Sequence, residues 1–508
     1  MILFRQADLS EFAPFSGRRD TAIAIDRVDG QISTAAAVAM TNGSPQDLGS
    51  GADTVLGVFR GRALDLTVDG PLAVTGLAAS ANLATGAGRD RVSGLVDVTQ
   101  ASAEAATIVG LEVADGAMLT TGLGDDMVRG SAIWQRATPA VGEGQTSVTG
   151  VSADYVDLGA GRNQLSGHAQ AVPSGMDGAS VDAVGLSVAT VLGGAQSENI
   201  VGTAATWTDA AVEATATGVS ANISAGRGSL LVLAEATAES GASASAVGLG
   251  ASEIGTDAGA GRAVVEAHAD ALGPEARAEA IASSAIETGD SDDTITGLAS
   301  AVGEAASAVG IVATTIVTNG GRDFVDASGE ANPDALGGAE PSHASGIVDS
   351  TIDTGSERDV VLAGGIVDPG NPGSTGVAVI RSDIDLGSGN DLIVARGTTG
   401  GLFDERTGEG GTFEHALEGG SGNDVFDIQN GSGFIDGGSE AGLFGGDTLI
   451  LYGSAEDYGY AYDAESGILN IVNGAETDLD VTDVEWFEFS DEPLARYSLD
   501  DLTAMLPG

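Results

Sequence analysis

The feature that most constrains this chain is a short motif, G-x-G-x-D-x-U with U apolar, that returns through most of its length. Its first positions fall at Gly49, Gly86, Gly122, Gly159, Ala195, Ser224, Gly259, Gly289, Asn319, Gly355, Gly387, Gly420 and Leu443, with spacings between 23 and 37 residues. Two places on, the column is Gly in ten of the thirteen copies. Four places on it is Asp in nine: Asp53, Asp90, Asp126, Asp293, Asp323, Asp359, Asp391, Asp424 and Asp447. The same column holds Asn163 and Asn199, then Gly228 and Ala263. Six places on, every copy is apolar, including Val55, Val92, Val128, Leu165, Val201, Leu230, Val265, Ile295 and Leu449. A Gly-rich turn followed by an always-apolar position reads as a turn entering a strand with one inward face.

About ten residues upstream of most turns lies a second pattern, Gly followed by alternating apolar residues, as in TGVSADYVDLG (149–159) and VGIVATTIVTN (309–319). An Ala/Ser-rich stretch such as GLASAVGEAASA (297–308) separates the two and reads as a third side. Three short strands per coil, joined by tight turns, predict an all-β chain: a right-handed parallel β-solenoid of about 12–13 coils. Ala-rich pieces such as EARAEAIASSA (275–285) have helical propensity but are short and locked to the strand period, so they read as strand. The expected organisation is an N-terminal cap over 1–45, carrying Phe4, Phe12 and Phe15, and a long-coil solenoid over 46–385. Calcium-binding coils over 386–450 and an aromatic-rich C-terminal capping and secretion unit over 451–508 follow.

Composition narrows the function. Acidic residues number 74 and basic ones 20, all Arg, for a net charge of −54. That excludes nucleic-acid or anionic-membrane binding through basic patches. Cys is absent, which removes disulfides and thiolate chemistry. No stretch approaches the run of about 18 apolar residues that a membrane-spanning helix needs, and the N-terminus has no secretory-signal pattern.

A G-x-G-x-D turn repeated at one corner stacks carboxylates and backbone carbonyls in a column, which suits hard divalent cations, calcium above all. The candidate metal residues are Gly387, Gly389, Asp391, Gly420, Gly422, Asp424, Asp436, Asp447, Asp359, Asp323, Asp293, Asp126, Asp90 and Asp53. The segments GGSGNDVFDIQNGSGFIDGG (419–438) and DLGSGNDLIVA (385–395) resemble the nonapeptide repeats of the RTX, hemolysin-type calcium-binding family. GDTLILYGSAEDYGYAYD (446–463) and VTDVEWFEFSDEPL (481–494) resemble the segment that ends such proteins. The resemblance covers about 385–508 and implies calcium-stabilised folding and type I secretion. Upstream, one turn recurs every ~30–37 residues rather than every nine, and Arg precedes the column residue at Arg89, Arg162, Arg227, Arg262, Arg322 and Arg358. A guanidinium there could pair with the carboxylates in place of calcium.

Catalytic signals are sparse. His168 and His268 occupy equivalent repeat positions rather than a dyad, His343 and His415 stand alone, and there is no H-E-x-x-H or G-x-S-x-G. Paired acids such as Asp125–Asp126 and Asp292–Asp293 lie in the turns. The sequence therefore reads as a non-enzymatic, extracellular, calcium-binding structural or adhesive solenoid of a surface layer, matrix or filament. Its expected partners are calcium and either other copies of itself or cell-surface polysaccharide. The alternative is a polysaccharide-active solenoid enzyme, a lyase, epimerase or hydrolase.

Overall fold

The structure, a computed structural model, describes residues 2–4, 7–8, 21–28, 34–40, 46–67, 72–102, 105–135, 145–172, 180–208, 212–333, 340–368, 372–404, 412–440, 445–474, 476–493 and 495–505. Phe12, Phe15 and Leu443 lie outside them. Strand accounts for 68% and helix for 2%, so the chain is all-β, and its parallel sheets form a β-solenoid. It falls into two compact units, Met1–Ala278 and Glu279–Gly508, a division inside the segment that the sequence treats as one.

In the first unit, one parallel ladder stacks Thr54–Thr67, Arg91–Ser102, Met127–Gln135, Asn163–Val172, Glu198–Trp207, Leu230–Glu239 and Ala263–Leu272. It extends back through Thr21–Val28 to Ile2–Phe4, within the region expected as a cap. A second ladder stacks Leu72–Ala79, Ala106–Thr120, Thr146–Asp157, Val181–Leu192 and Glu213–Ala225. Successive strands pair at the same register, so like residues stack on like. Val55, Val92, Val128, Leu165, Ile200, Val232 and Val265 form one inward column, each no more than 1% exposed. In two weak copies the register differs from the sequence alignment. Ile200, not Val201, stands opposite Leu165, and Val232, not Leu230, stands opposite Ile200.

The two ladders pinch together where glycines meet. A Cβ on Gly150 would lie 2.4 Å from the His168 amide nitrogen and 2.5 Å from the Gly185 carbonyl oxygen. The Gly that opens the upstream pattern is thus there because the sheets nearly touch, which keeps the core thin enough for Ala and Val to fill. The three-sided cross-section is only partly present here. The second and third sides run as one long strand, with register shifts between Val113 and Met118 and between Val188 and Thr190.

The second unit does have three sides. Its first ladder stacks Thr294–Gly303, Phe324–Pro333, Val360–Val367, Leu392–Gly397, Val425–Ile428, Thr448–Leu451 and Trp486–Phe489. Its second contains Ala305–Val312, His343–Val348, Thr375–Ile380 and Gly400–Phe403. The third stacks Ala285–Glu287, Thr315–Val317, Thr351–Asp353, Asp383–Asp385 and Ala416–Glu418. The stretch 297–308 is no separate side: it closes Thr294–Gly303 and opens Ala305–Val312. A corner between the second and third sides is built by left-handed residues, Ala313 (φ 50°), Asp349 (φ 49°) and Arg381 (φ 44°), each followed by a hydroxyl. Thr314 N donates to Ser350 Oγ at 3.2 Å, and Ser350 N to Ser382 Oγ at 3.1 Å.

Past residue 451 antiparallel pairs are added to the parallel ladders, through Gly459–Asp463, Ile468–Asn473 and Thr477–Thr482, and between Trp486–Phe489 and Arg496–Ser498. Aromatics gather here, with Phe489 ring-to-ring with Tyr458 at 5.6 Å and Tyr497 at 5.7 Å. A short helix, Leu499–Ala504, is capped by Ser498 accepting from Asp501 N. Among the described residues no helix is long and apolar enough to cross a membrane.

Candidate functional site

The G-x-G-x-D turn is built by stacking. Gly88, at φ +154°, would place a Cβ 1.3 Å from the Gly51 carbonyl oxygen one coil away, and Gly124 one 1.4 Å from that of Gly88. The turn glycines singled out in the second unit behave alike. A Cβ on Gly387 would meet Gly355 O at 2.0 Å, and on Gly420 it would meet Gly387 O at 1.9 Å. On Gly389 and Gly422 the distances are 1.5 Å to Glu357 O and 1.6 Å to Gly389 O. These columns are glycine because the next coil's carbonyl fills the side-chain space.

The Asp column faces inward. Asp53, Asp90, Asp126, Asp293, Asp323, Asp359, Asp391, Asp424 and Asp447 are each no more than 3% exposed. Where the turn peels away, the backbone ladder loses a carbonyl, and the Asp side chain replaces it. Asp53 N donates to Asp90 Oδ1 at 2.8 Å, and Asp90 N to Asp126 Oδ1 at 2.8 Å. The second unit repeats the arrangement: Asp293 N to Asp323 Oδ1, Asp323 N to Asp359 Oδ1, Asp359 N to Asp391 Oδ1 and Asp391 N to Asp424 Oδ1, all at 2.8 Å. Asp424 N then donates to Asp447 Oδ1 at 2.7 Å, and Asp447 N to Glu485 Oε2 at 2.8 Å. The regular ladder resumes one residue later, as with Val360 N to Asp323 O and Leu392 N to Asp359 O, both 3.0 Å.

The column tolerates change in an instructive way. Asn163 accepts from Asp126 N through Oδ1 at 3.0 Å and donates through Nδ2 to Glu198 Oε1 at 3.3 Å. Glu198, not Asn199, stands opposite Asn163 and also accepts Gly194 N at 2.9 Å. Leu230, not Gly228, and Ala263 continue the column. There the main chain takes over, with Glu198 N donating to Ser229 O at 2.9 Å.

The second carboxylate oxygens of Asp90, Asp126, Asp323, Asp359, Asp391 and Asp424 are buried without a hydrogen-bond partner. Burial penalises the charged form. It pushes Asp126, Asp359 and Asp424 up to about 6, and Asp323 and Asp391 to about 7, against the pull of the amide each accepts. Neighbouring column acids push Asp126, Asp323 and Asp391 further. Glu198 is raised by burial to about 7.

The Arg residues next to the column point the other way. Arg89, Arg162, Arg227, Arg262, Arg322 and Arg358 are all exposed. Arg89 pairs with Asp125 at 2.9 Å and Arg322 with Asp292 at 3.2 Å, outward acids rather than column members. Exposed pairs of this kind are each worth roughly 0–1 kcal/mol. The histidines are likewise outward: His168 and His268 share one column, three rungs apart, and His168 Nδ1 meets Thr203 Oγ1 at 2.7 Å.

A second acid column lies outside the same corner, two residues before the turn. Asp353, Asp385, Glu418 and Asp436 occupy consecutive rungs. Asp385 accepts Gly387 N at 2.9 Å and Asp436 accepts Gly438 N at 3.0 Å, as Asx turns do. Asp353, Glu418 and Asp436 are all raised, first by partial burial and then by their acidic neighbours. Of these the sequence singles out only Asp436; an acid two residues before the turn glycine, as in Asp353-Thr354-Gly355 and Glu418-Gly419-Gly420, is the signal for the rest.

The resemblance to calcium-binding repeats sets a test for both columns. The donor set is all oxygen, as calcium requires. In the inner column one oxygen of Asp90, Asp126, Asp323, Asp359, Asp391, Asp424 and Asp447 is already engaged by an amide and the other is buried, which does not fit a calcium cage. Among the described residues no three Asp, Glu or His side chains converge on a common metal position. The outer column, open to solvent and like-charged from rung to rung, fits a loosely held cation better. Fold and columns together define a parallel β-solenoid with an acid-lined corner. No family model and no curated protein matches the sequence.

Proposed function

We propose that this chain is a secreted structural or adhesive β-solenoid of a cell surface, matrix or filament, and that calcium binds the outer acid column. The observation that carries the reading is the stack Asp353–Asp385–Glu418–Asp436. Like charges directly opposite on neighbouring strands destabilise a sheet, and a divalent cation between rungs removes that cost. Two carboxylates and main-chain carbonyls of the turns would supply its ligands, with weak extracellular-type affinity of roughly 10⁻⁴–10⁻³ M. The resemblance over 385–508 supports export by a type I system, after which extracellular calcium would reach the column. Self-association through shared ions, or attachment to surface polysaccharide, follows as the working role.

Calorimetric titration of the full chain with calcium tests this. Binding in the sub-millimolar to millimolar range is expected, reduced at least tenfold in a variant carrying Asp385→Asn and Glu418→Gln. An identical isotherm for both proteins, or no binding heat, would remove the calcium part of the proposal. An unchanged sedimentation coefficient with and without calcium would remove the assembly part.

A further inference from the structure

We propose that the inner turn column is a metal-independent capping ladder, in which Asp126, Asp323, Asp359, Asp391 and Asp424 serve as uncharged carboxylic acids and asparagine is their functional equivalent. Three observations carry this. Asp90, Asp126, Asp323, Asp359, Asp391, Asp424 and Asp447 each spend one oxygen on the amide of the preceding coil, the bond that the diverging turn would otherwise leave unmade. One rung is already asparagine: Asn163 fills the place with the same amide-to-Oδ1 bond as its neighbours, in a side chain that cannot ionise. Finally, the second oxygen of Asp126, Asp323, Asp359, Asp391 and Asp424 is buried, and of these five acids only Asp391 has an arginine, the exposed Arg358, acting on it. A Cβ on Gly419 would lie 2.9 Å from Asp424 Oδ2 and 3.1 Å from the Phe426 ring.

The threonine five residues ahead of several column acids completes the arrangement. Thr121, Thr318 and Thr354 give their hydroxyl protons to the carbonyls of Leu158, Thr354 and Leu386, at 2.7, 3.1 and 3.0 Å. Each hydroxyl also stands beside its own column acid, Asp126, Asp323 or Asp359. With its proton on the carbonyl, the hydroxyl offers a lone pair to a protonated acid, whereas turning that proton to the acid would favour the charged form. The chain from acid to hydroxyl to carbonyl then gives the second oxygen of Asp126, Asp323 and Asp359 a partner, as interiors require. Sequence position alone assigns these acids to calcium; their direction assigns them to the backbone.

The test compares thermal melting of the full chain in excess chelator for the native protein, Asp359→Asn and Asp359→Ala. The asparagine variant is expected to melt within about 2 °C of the native protein, and the alanine variant roughly 4–8 °C lower, having lost one buried amide's partner. Should the alanine variant not fold, amide hydrogen exchange in the asparagine variant decides: the Asp323 amide remains protected. Asparagine as damaging as alanine would overturn the proposal. Calcium uptake by the outer column leaves this comparison unchanged, because the melts are run in chelator.

Discussion

Gly124→Val is expected to prevent the first unit from folding, and Gly124→Ala to come close to doing so. The argument is geometric. Coils stack at about 4.8 Å, and the Gly88 carbonyl oxygen sits 1.4 Å from where the new Cβ must lie. Restoring contact distance means lifting one coil from the next by more than an ångström, which breaks the amide pairs on both sides of the turn, including Gly88 N to Leu123 O at 2.6 Å and Leu123 N to Gly86 O at 2.9 Å. Gly124 also holds φ at +140°, which side chains rarely adopt. The loss exceeds the ~4 kcal/mol that marks the severe tail of single substitutions. Far-UV circular dichroism and limited proteolysis of the variant check it. A native-like spectrum with native protease resistance would mean that the turns do not stack as described. Gly116, with nothing within 4 Å of its Cβ position, is the control: alanine there meets only backbone strain.

The second large effect is on pH. In chelator, the second unit is expected to be most stable near pH ~4 and to lose stability steadily toward pH ~7. Asp323 and Asp391 are raised to about 7 and Asp359 and Asp424 to about 6 in the folded chain, from 3.8. Between those values the folded state holds protons that the unfolded chain has released, so raising the pH favours unfolding. Their contribution is complete below the unfolded value and lost as pH passes through the folded ones. One acid moved from 3.8 to about 6 corresponds to about 3 kcal/mol. Four in one unit therefore lower the melting temperature by roughly 10 °C or more across the window.

Several charged groups share this setting. Asp293 and Asp359 face Asp323; Asp359, Asp424 and Arg358 face Asp391; and Glu357 stands beside Asp359. Repulsion among the surface acids of a −54 chain acts in the same direction. The fourfold Asp→Asn variant at 323, 359, 391 and 424 separates the two, because it keeps the surface charge and removes the column's protons. Its melting profile is expected to be distinctly flatter than the native one. An equal slope in both proteins would assign the pH dependence to the surface.

Much of the fold was legible because a solenoid repeats its demands at every coil. The inward apolar column from Val55 to Val265 in the first unit and the acid column from Asp293 to Asp447 in the second each show as one kind of residue at one place in the repeat. Legibility failed where different side chains met the same demand. Glu198 holds the rung that the motif spacing assigns to Asn199, and its carboxylate accepts there in place of an Asp or Asn. The hydroxyl corner of Thr314, Ser350 and Ser382 was missed, since Ser and Thr are common here and only the left-handed residue before each marks it. Side-chain direction was the larger omission. G-x-G-x-D spells a turn with an acid after it, and the spelling is the same whether that acid points out to an ion or inward to an amide.

The most direct test of that direction is infrared spectroscopy of the full chain in chelator, following the carbonyl band of protonated carboxylic acids as pH is raised. Surface acids lose this band near pH ~4. A fraction that persists to pH ~6–7 in the native protein, and shrinks in the fourfold asparagine variant to the share of Asp126 and Glu198, is the result that an inward, uncharged column predicts. A band wholly lost near pH ~4 would mean that the column acids ionise like surface carboxylates, and would contradict the capping ladder.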